Sequence, residues 1–539
     1  MKSNEKTVRW RAGEAKKLLT ERALRDRIRR LSNGIIPTYG ISPRNQPFTD
    51  SREHMDYTAA TTIGALRGMG YPQRTVKDEM RDNLLAKLSS GEQVFPGIVG
   101  YDKTVVPELV NAILSRHDFI LLGLRGQAKT RILRSLVSLL DEYMPVIAGC
   151  EINSSPFAPV SRSARDLVTE HGDGTPIEWI GRSRRYGEKL ATPDVTISDL
   201  IGDIDPIKAA SQRLHYAHEG VIHFGIIPRM NRGIFAVNEL PDLQPRIQVG
   251  LLNIMEEKDI QIRGFPVRIP LDVLIVFSAN PEDYTNRGTI ITPLKDRIDS
   301  QILTHYPVNR EYAMAITDRE AWTDRPGGVR VDMPHFLRET VEEIAFQARG
   351  SEFIDQTSGV STRMTIAAME NLVSQVEKRC VLQGERSVVP RMCDLSAVIP
   401  AMTGKLELVY EGEQEGEVKV AEALIGRAVK EVFESYFPAV YGEDDERGAC
   451  YQEILAWFEE GKTVEISDTM DDKSYYGALN GVGGLRKLAA AHVGTQSRAE
   501  LALVMEFLLE GLHQHSRISK NVAAGRRSYS DMMGSLFER

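Results

Sequence analysis

The sequence predicts an α/β protein: a parallel sheet with helices on both faces, followed by an all-α region, with helical N- and C-terminal extensions. Three observations predict it. From Phe95 to about residue 308, strand-sized apolar runs bounded by Gly or Pro alternate with helical stretches, the pattern of strand–helix–strand crossovers. Beyond that point strand candidates become scarce, and amphipathic stretches such as Pro334 to Ala348 and Arg363 to Cys380 dominate. Near the start, Leu24, Ile28 and Leu31 fall at helical spacing, and Tyr57 to Leu88 reads as helix.

The elements follow in order. Residues 1–31 hold eleven Lys/Arg and four Asp/Glu, a local +7 in a chain whose net charge is −8. Such a stretch is either a basic arm for nucleic acid or an acidic partner, or a solvated helix docked by one narrow apolar stripe, the commoner case. Residues 32–56, rich in Pro, Gly, Ser and Asn, read as an irregular connector. Phe119–Leu122, Met144–Ala148, Ile234–Val237, Val273–Ser278 and Gln301–Leu303 are the strand candidates, apolar enough to be buried on both faces of a parallel sheet. Glu411 to Glu417 (EGEQEGE) reads as a loop, and the last 120 residues as helices broken at Asn480–Gly484 (NGVGG). The domains expected are therefore 1–90, a basic helical extension; 91–308, the α/β domain; 309–408, an α-helical domain; and 409–539, a C-terminal helical domain.

Composition narrows the function classes. A length of 539 residues suits about three or four domains. The net charge of −8 is not that of a dedicated nucleic-acid binder. Cys150, Cys380, Cys393 and Cys450 are scattered without a CxxC pair, which argues against a disulfide framework or zinc ribbon and for a reducing compartment. There is no apolar run of spanning length and no apolar signal core, so a cytoplasmic protein without a membrane span is expected.

The chemistry concentrates after Asp118, in DFILLGLRGQAKTRILR. A buried strand runs into Gly123, a short loop follows, and Lys129-Thr130 opens an amphipathic helix. This is a strand–loop–helix phosphate cradle, in which the backbone of Gly123, Gly126, Gln127 and Ala128 wraps close to the phosphates. Lys129 would reach the β- and γ-phosphates, and the Thr130 hydroxyl would ligate Mg2+. Ala128 stands where the GxxxxGK[ST] pattern has its second Gly, which is tolerable if its φ is negative.

Downstream, the strand in RGIFAVNELPDL ends in Asn238-Glu239. Glu239 is suited to accept a proton from, or orient, an attacking water. Asn238 occupies the position of an Asp; it can hydrogen-bond a metal-bound water but offers no charge, so weaker Mg2+ affinity is expected. The strand in VLIVFSANPED ends at Asn280, whose amide can orient the water or the γ-phosphate. In TPLKDRID, Arg297 sits just before another strand, where it could reach a neighbouring subunit's γ-phosphate. Arg287 in TNRG competes with it for that role.

The series GLRGQAKT, GIFAVNE, SANPED and LKDR resembles an AAA+ ATPase, and within AAA+ the MoxR and magnesium-chelatase I-subunit clade. Val94–Tyr101 (VFPGIVGY) is similar to that clade's opening segment, which places Val99 against adenine. Asp259–Pro270 resembles its inserted hairpin, Asp199–Met230 its helix-2 insertion, and SGVSTRMT its second sensor, with Arg363 near the γ-phosphate from a helical lid. The resemblance covers about residues 94–400. It implies ATP and Mg2+ as cofactors, the latter held by Thr130 and, through water, Asn238. It also implies a homo-oligomeric ring, usually hexameric, with Arg297 acting in trans and Arg363 in cis. Relatives pair with a separate von Willebrand factor A protein to remodel a client protein or load a metal; this chain has no DxSxS pattern of its own.

Other readings remain open. With Asn238 in the metal-shell position the chain could be a nucleotide-gated scaffold with little hydrolysis. A true magnesium-chelatase subunit is a narrower alternative, and a transcription-related activator another, although no GAFTGA loop is present. His215, His218, His223 and His513-x-His515 lack a supporting ligand set, and Glu151, Asp203 and Asp205 read as loop acids. The NGVGG turn lacks a preceding strand and a following Lys-Thr, so an ordinary interhelical turn is expected. Trp10, Trp179, Trp322 and Trp457 show no base-stacking pattern.

Overall fold

A computed structural model describes residues 56–212, 219–262, 268–281, 288–326, 328–384, 387–441, 449–492, 497–523 and 525–532. The basic arm, most of the connector, Arg263-Gly264, Arg287, His215 and His218 lie outside these. The chain divides into two compact units, and Asp82–Val94 belongs to one of them. There Lys87 Nζ pairs with Glu92 at 2.6 Å. The other unit comprises residues 57–81 and 95 onward.

The α/β region contains β1 (Phe119–Leu122), β2 (Tyr143–Ile147), β3 (Ile177–Gly181), β4 (Tyr186–Leu190), β5 (Gly202–Ile204), β6 (Ile222–Phe224), β7 (Gly233–Asn238), β8 (Asp259–Gln261), β9 (Arg268–Pro270), β10 (Val273–Ala279) and β11 (Ser300–Leu303). Five of them form the central parallel sheet in the order β11-β1-β10-β7-β4. β1, β7 and β10 are buried along their whole length, because helices cover both faces. One face, with Ile120, Phe235 and Phe277, packs on Ile247, Leu251 and Leu294 of helices Pro245–Glu257 and Thr292–Arg297. Alternate residues such as Phe119, Leu121 and Val276 point to the other face and are equally buried.

Two expectations about this region are corrected. Met144–Ala148 is a strand, but β2 pairs antiparallel with β3 outside the central sheet. The missing central strand is β4, YGEKL, an edge strand with one neighbour and only Gly187 fully buried, so it lacks an apolar run. The expected continuous helix Tyr57–Leu88 is broken: helix Ile63–Gly68 ends before Gly70 (φ +69), and Pro72 precedes the next helix, which begins at Val76. Within Asp259–Pro270 β8 pairs antiparallel with β9, and within Asp199–Met230 β5 pairs antiparallel with β6 across helix Pro206–Gln212.

After β11 the chain is mainly helical, with Arg310–Glu320, His335–Arg349, Arg363–Gln383, Glu417–Tyr436 and Arg498–Gln514 as the long members. β12 (Arg330–Val331) and β13 (Ser387–Val388) add a two-residue parallel pair. The purely helical reading of the C-terminal residues is corrected: β14 (Val464–Ser467), β15 (Ile518–Ala523) and β16 (Arg526–Asp531) form an antiparallel sheet. So is the acidic loop: Tyr410–Glu415 is helical, and only Gly416 (φ +91) interrupts it before Glu417–Tyr436. One apolar core runs without interruption from Ala321 to Tyr529, so the helices before and after residue 409 share it.

Candidate nucleotide site

The sheet order builds the site. The chain leaves β1 for the far edge at β4, returns through β7 and β10, and passes over β1 to β11. Strand order therefore reverses around β1, and ligands in open parallel sheets bind beyond the strand ends at such a point. Register brings the ends level: Leu122 pairs with Ala279, and Phe277 with Val237. Gly123, Asn280 and Glu239 thus emerge together from three adjacent strands.

Gly123 must be Gly, because a Cβ would collide with the side chains of Thr304 and Gln127. Gly126 (φ +78) and Ala128 (φ +58) are left-handed, with Gln127 between them. Alternation of this kind turns successive N–H groups toward one concave side, an anion nest that continues into helix Lys129–Ser135. A negative φ at Ala128 is thereby corrected. As N-cap of this helix Ala128 takes the left-handed form, which costs an L-residue roughly 1–2 kcal/mol, and its methyl is exposed.

Lys129 is buried. Its ammonium donates to Gly123 O, to Leu124 O at 3.1 Å and to Asn280 Oδ1 at 2.6 Å. Asn280 thus turns its carbonyl to the lysine and keeps its NH2 for another acceptor. Thr130 follows in the first turn of the helix, half-buried. Glu239 is half-buried in the left-handed region (φ +55), with its N–H 3.4 Å from Ser278 Oγ. Buried Asn238 accepts the Ser278 hydroxyl at 3.1 Å through Oδ1. The Gln127 side chain faces inward, accepting from Thr304 Oγ1 at 2.7 Å, so only its backbone belongs to the loop.

Beside the loop a cavity is lined by Gly97, Val99, Gly126, Ala128, Ile316, Arg319 and Thr362. Gly97 (φ +91) lies against the Arg319 guanidinium, and Arg131 pairs with Glu320 on the same rim. Tyr101, not singled out from sequence, donates its hydroxyl to His305 O at 2.7 Å and approaches Gln127 O at 3.0 Å. Burial pushes its pKa up to about 12, which keeps it a donor. Its signal was its place at the end of VFPGIVGY.

The helical region closes over the loop. Thr362 Oγ1 donates to Gly126 O at 2.7 Å. Arg363 follows as the exposed first residue of helix Arg363–Gln383. A cation at a helix N-terminus opposes the helix dipole by about 0.3–1 kcal/mol, which suggests a task other than stability. Arg297 is not brought to its own loop. Its guanidinium donates to Glu256 at 2.9 Å and to Pro293 O at 3.0 Å. The adjoining Asp299 N–H bonds Asp118 O at the opposite end of β1. From there to Gly123 the strand climbs roughly 16 Å.

The weaker candidates stay apart from this site. His223 Nε2 lies 3.3 Å from Arg229, His513 contacts Ile518 O, and Glu151 pairs with Lys208. Asp203 and Asp205 bind local backbone N–H groups. Among the described residues there is no cluster of three metal-ligating side chains, and no helix long and apolar enough to cross a membrane. All four cysteines are free thiols.

The donor set fits the phosphates of a nucleoside triphosphate: a nest, a helix N-terminus and a buried lysine, with a cavity adjoining. Fold and site together define a parallel α/β sheet with a strand–loop–helix phosphate cradle at its switch point, closed over by a helical region. No family model and no curated protein matches the chain. Among solved structures, NtrX from Brucella abortus aligns over 58% of this chain and 56% of its own, at 13% identity and a TM-score of 0.31. The chain thus spans little more than half of that relative. NtrX in complex with ADP aligns over 69% of both chains at 11% identity and a TM-score of 0.35. A complex between subunits BchI and BchD of magnesium chelatase aligns over 59% of this chain and 98% of the matched one, at 18% identity and a TM-score of 0.32. The assignment of the fold stands on strand order and loop geometry, not on these likenesses.

Proposed function

We propose that the protein binds and hydrolyses ATP as a ring-forming AAA+ motor of the MoxR and magnesium-chelatase type. The observation that carries this reading is the meeting of Lys129 with Asn280 at strand ends level with Glu239, under a lid that touches Gly126 through Thr362. In it Lys129 and the loop N–H groups hold the phosphates, Asn280 and Glu239 orient and deprotonate the water, and Arg363 adds charge from the lid. Val99 faces the base. Mg2+, held by Thr130 and through water by Asn238, would neutralise phosphate charge when bound. Arg297, remote from its own loop, would serve a neighbouring copy in a ring, and the resemblance makes that ring a hexamer. Remodelling of a client protein, or metal insertion, together with a von Willebrand factor A partner is the task this clade suggests, in the cytoplasm.

Phosphate release from Mg-ATP by the wild-type chain, abolished in Lys129→Ala, tests the reading; equal release by both refutes it. One observation favours a weakly hydrolysing scaffold instead: buried Asn238 brings no charge to the metal shell and spends its carbonyl on Ser278. Large activation by Asn238→Asp would support that alternative.

A further inference from the structure

The phosphate loop carries a second cation, and it turns to the lid. Arg125 Nη2 lies 2.8 Å from Glu407 Oε1 and 3.5 Å from Lys405 O. The other oxygen of that carboxylate, Oε2, accepts the hydroxyl of Ser358, and the Glu407 carbonyl accepts from Asp355 N at 2.8 Å. Ser358 opens the short segment that ends in Thr362 and Arg363. One carboxylate therefore bridges the phosphate loop and the segment that presents Arg363.

The surroundings make this bridge directional. The Tyr306 hydroxyl donates to Arg125 O at 2.9 Å, and Arg349 stacks on the Tyr306 ring at 4.2 Å while donating to Val360 O at 3.1 Å. Gly359 (φ +69) lies so close that a Cβ would stand 2.9 Å from Leu124 Cδ1. Loop and segment are thus in contact along their length, and Glu407 closes the far end. The pair is a poor candidate for a folding device: its side chains are 39% and 55% exposed, and ion pairs this solvated contribute little to stability. What it fixes is position.

We propose that Glu407 is a positioning residue: by holding Arg125 and Ser358 together it sets Arg363 against the phosphate loop and passes movement of the loop to the lid. This deepens the ATPase reading and rests on it.

The test uses the full chain and reads ATP turnover, KM and thermal unfolding for Glu407→Ala, Glu407→Gln, Ser358→Ala, Arg363→Ala and the double variant Glu407→Ala/Arg363→Ala. Misplacement of a charge by a fraction of an ångström predicts a fall in kcat of roughly 10-fold for Glu407→Ala, with KM and unfolding midpoint little changed. Glu407→Gln, which keeps the Ser358 hydrogen bond, should recover part of the loss. The double variant should be no slower than Arg363→Ala alone, because Glu407 acts through that arginine. Wild-type kcat in Glu407→Ala, or losses that multiply in the double variant, would overturn the relay while leaving the ATPase standing. A wild-type chain no faster than Lys129→Ala overturns the ATPase reading itself, and the relay with it.

Discussion

Lys129 Nζ sits 2.6 Å from Asn280 Oδ1, so the cation of the phosphate loop and the amide at the end of the neighbouring strand form one unit. Lys129 keeps two further anchors in the carbonyls of Gly123 and Leu124. Removing the amide should therefore leave the lysine in place and ATP binding largely intact. Asn280→Ala is expected to slow turnover by roughly 10²-fold, the cost of one oriented polar group at a site of developing charge. Single-turnover phosphate release beside a nucleotide-binding titration separates the two; a parallel loss of binding would show that Asn280 holds the lysine rather than the water.

Gly126 is where the loop meets the lid. A Cβ there would stand 2.8 Å from both Ser361 Cα and Thr362 N, and the backbone is left-handed at φ +78. Gly126→Ala should therefore displace the lid, break the Thr362 hydrogen bond and lower turnover, with a stability cost of about 1–2 kcal/mol from the backbone alone. Ala128→Gly, at the other left-handed position, should leave both intact because it relieves a strain instead of adding one. Denaturant unfolding and steady-state turnover of the two variants decide it, and equal behaviour would mean that the lid does not rest on Gly126.

The core shared across residue 409 has an ionic clasp. Arg379 and Asp394 are both buried, with Nη2 2.8 Å from Oδ2, and Asp394 also accepts the backbone N–H of Arg391 at 2.8 Å. Nearby, fully buried Glu506 accepts from Met392 N at 3.0 Å and Tyr475 OH at 2.5 Å. Truncating one member leaves the other charged and dry, so Asp394→Ala should cost about 3–5 kcal/mol. Urea unfolding measures it. A loss below about 1 kcal/mol would mean water reaches Arg379 in the variant.

The parts legible in the sequence were those whose environment is uniform. β1, β7 and β10 are buried on both faces and read as unbroken apolar runs; Lys129, Thr130, Glu239 and Asn280 could be placed because they follow those runs directly. β4 escaped because an edge strand needs no such run: half of it is polar, and Glu188 pairs with Arg134 at its surface. β15 and β16 escaped for the same reason, since Ile518 and Tyr529 are their only fully buried residues. The sign of φ at Ala128 depends on how the loop enters the helix. Contacts such as Thr362 with Gly126 join residues 236 apart, and no local pattern encodes them.

His515 gives the structure a titratable weak point. Its ring is buried against Phe433 and Tyr441, with Lys430 facing it and, among the described residues, Glu434, 3.5 Å from Nε2, as the neighbour of opposite sign. Burial first, and Lys430 second, hold its pKa below the ordinary imidazole value, against the smaller pull of Glu434. In the unfolded chain the same group titrates near 6.5. Between the folded value and about 6.5 the unfolded state binds more protons, so stability rises with pH in that window. The contribution is complete above about pH 6.5 and is lost as pH falls through it, levelling off below the folded pKa. Urea midpoints at about pH 7.5 and about pH 5.5 should therefore differ more in the wild-type chain than in His515→Phe, which cannot be protonated. An equal difference in both would place the acid sensitivity elsewhere, while a smaller one in the wild type would mean that Glu434 outweighs burial and Lys430.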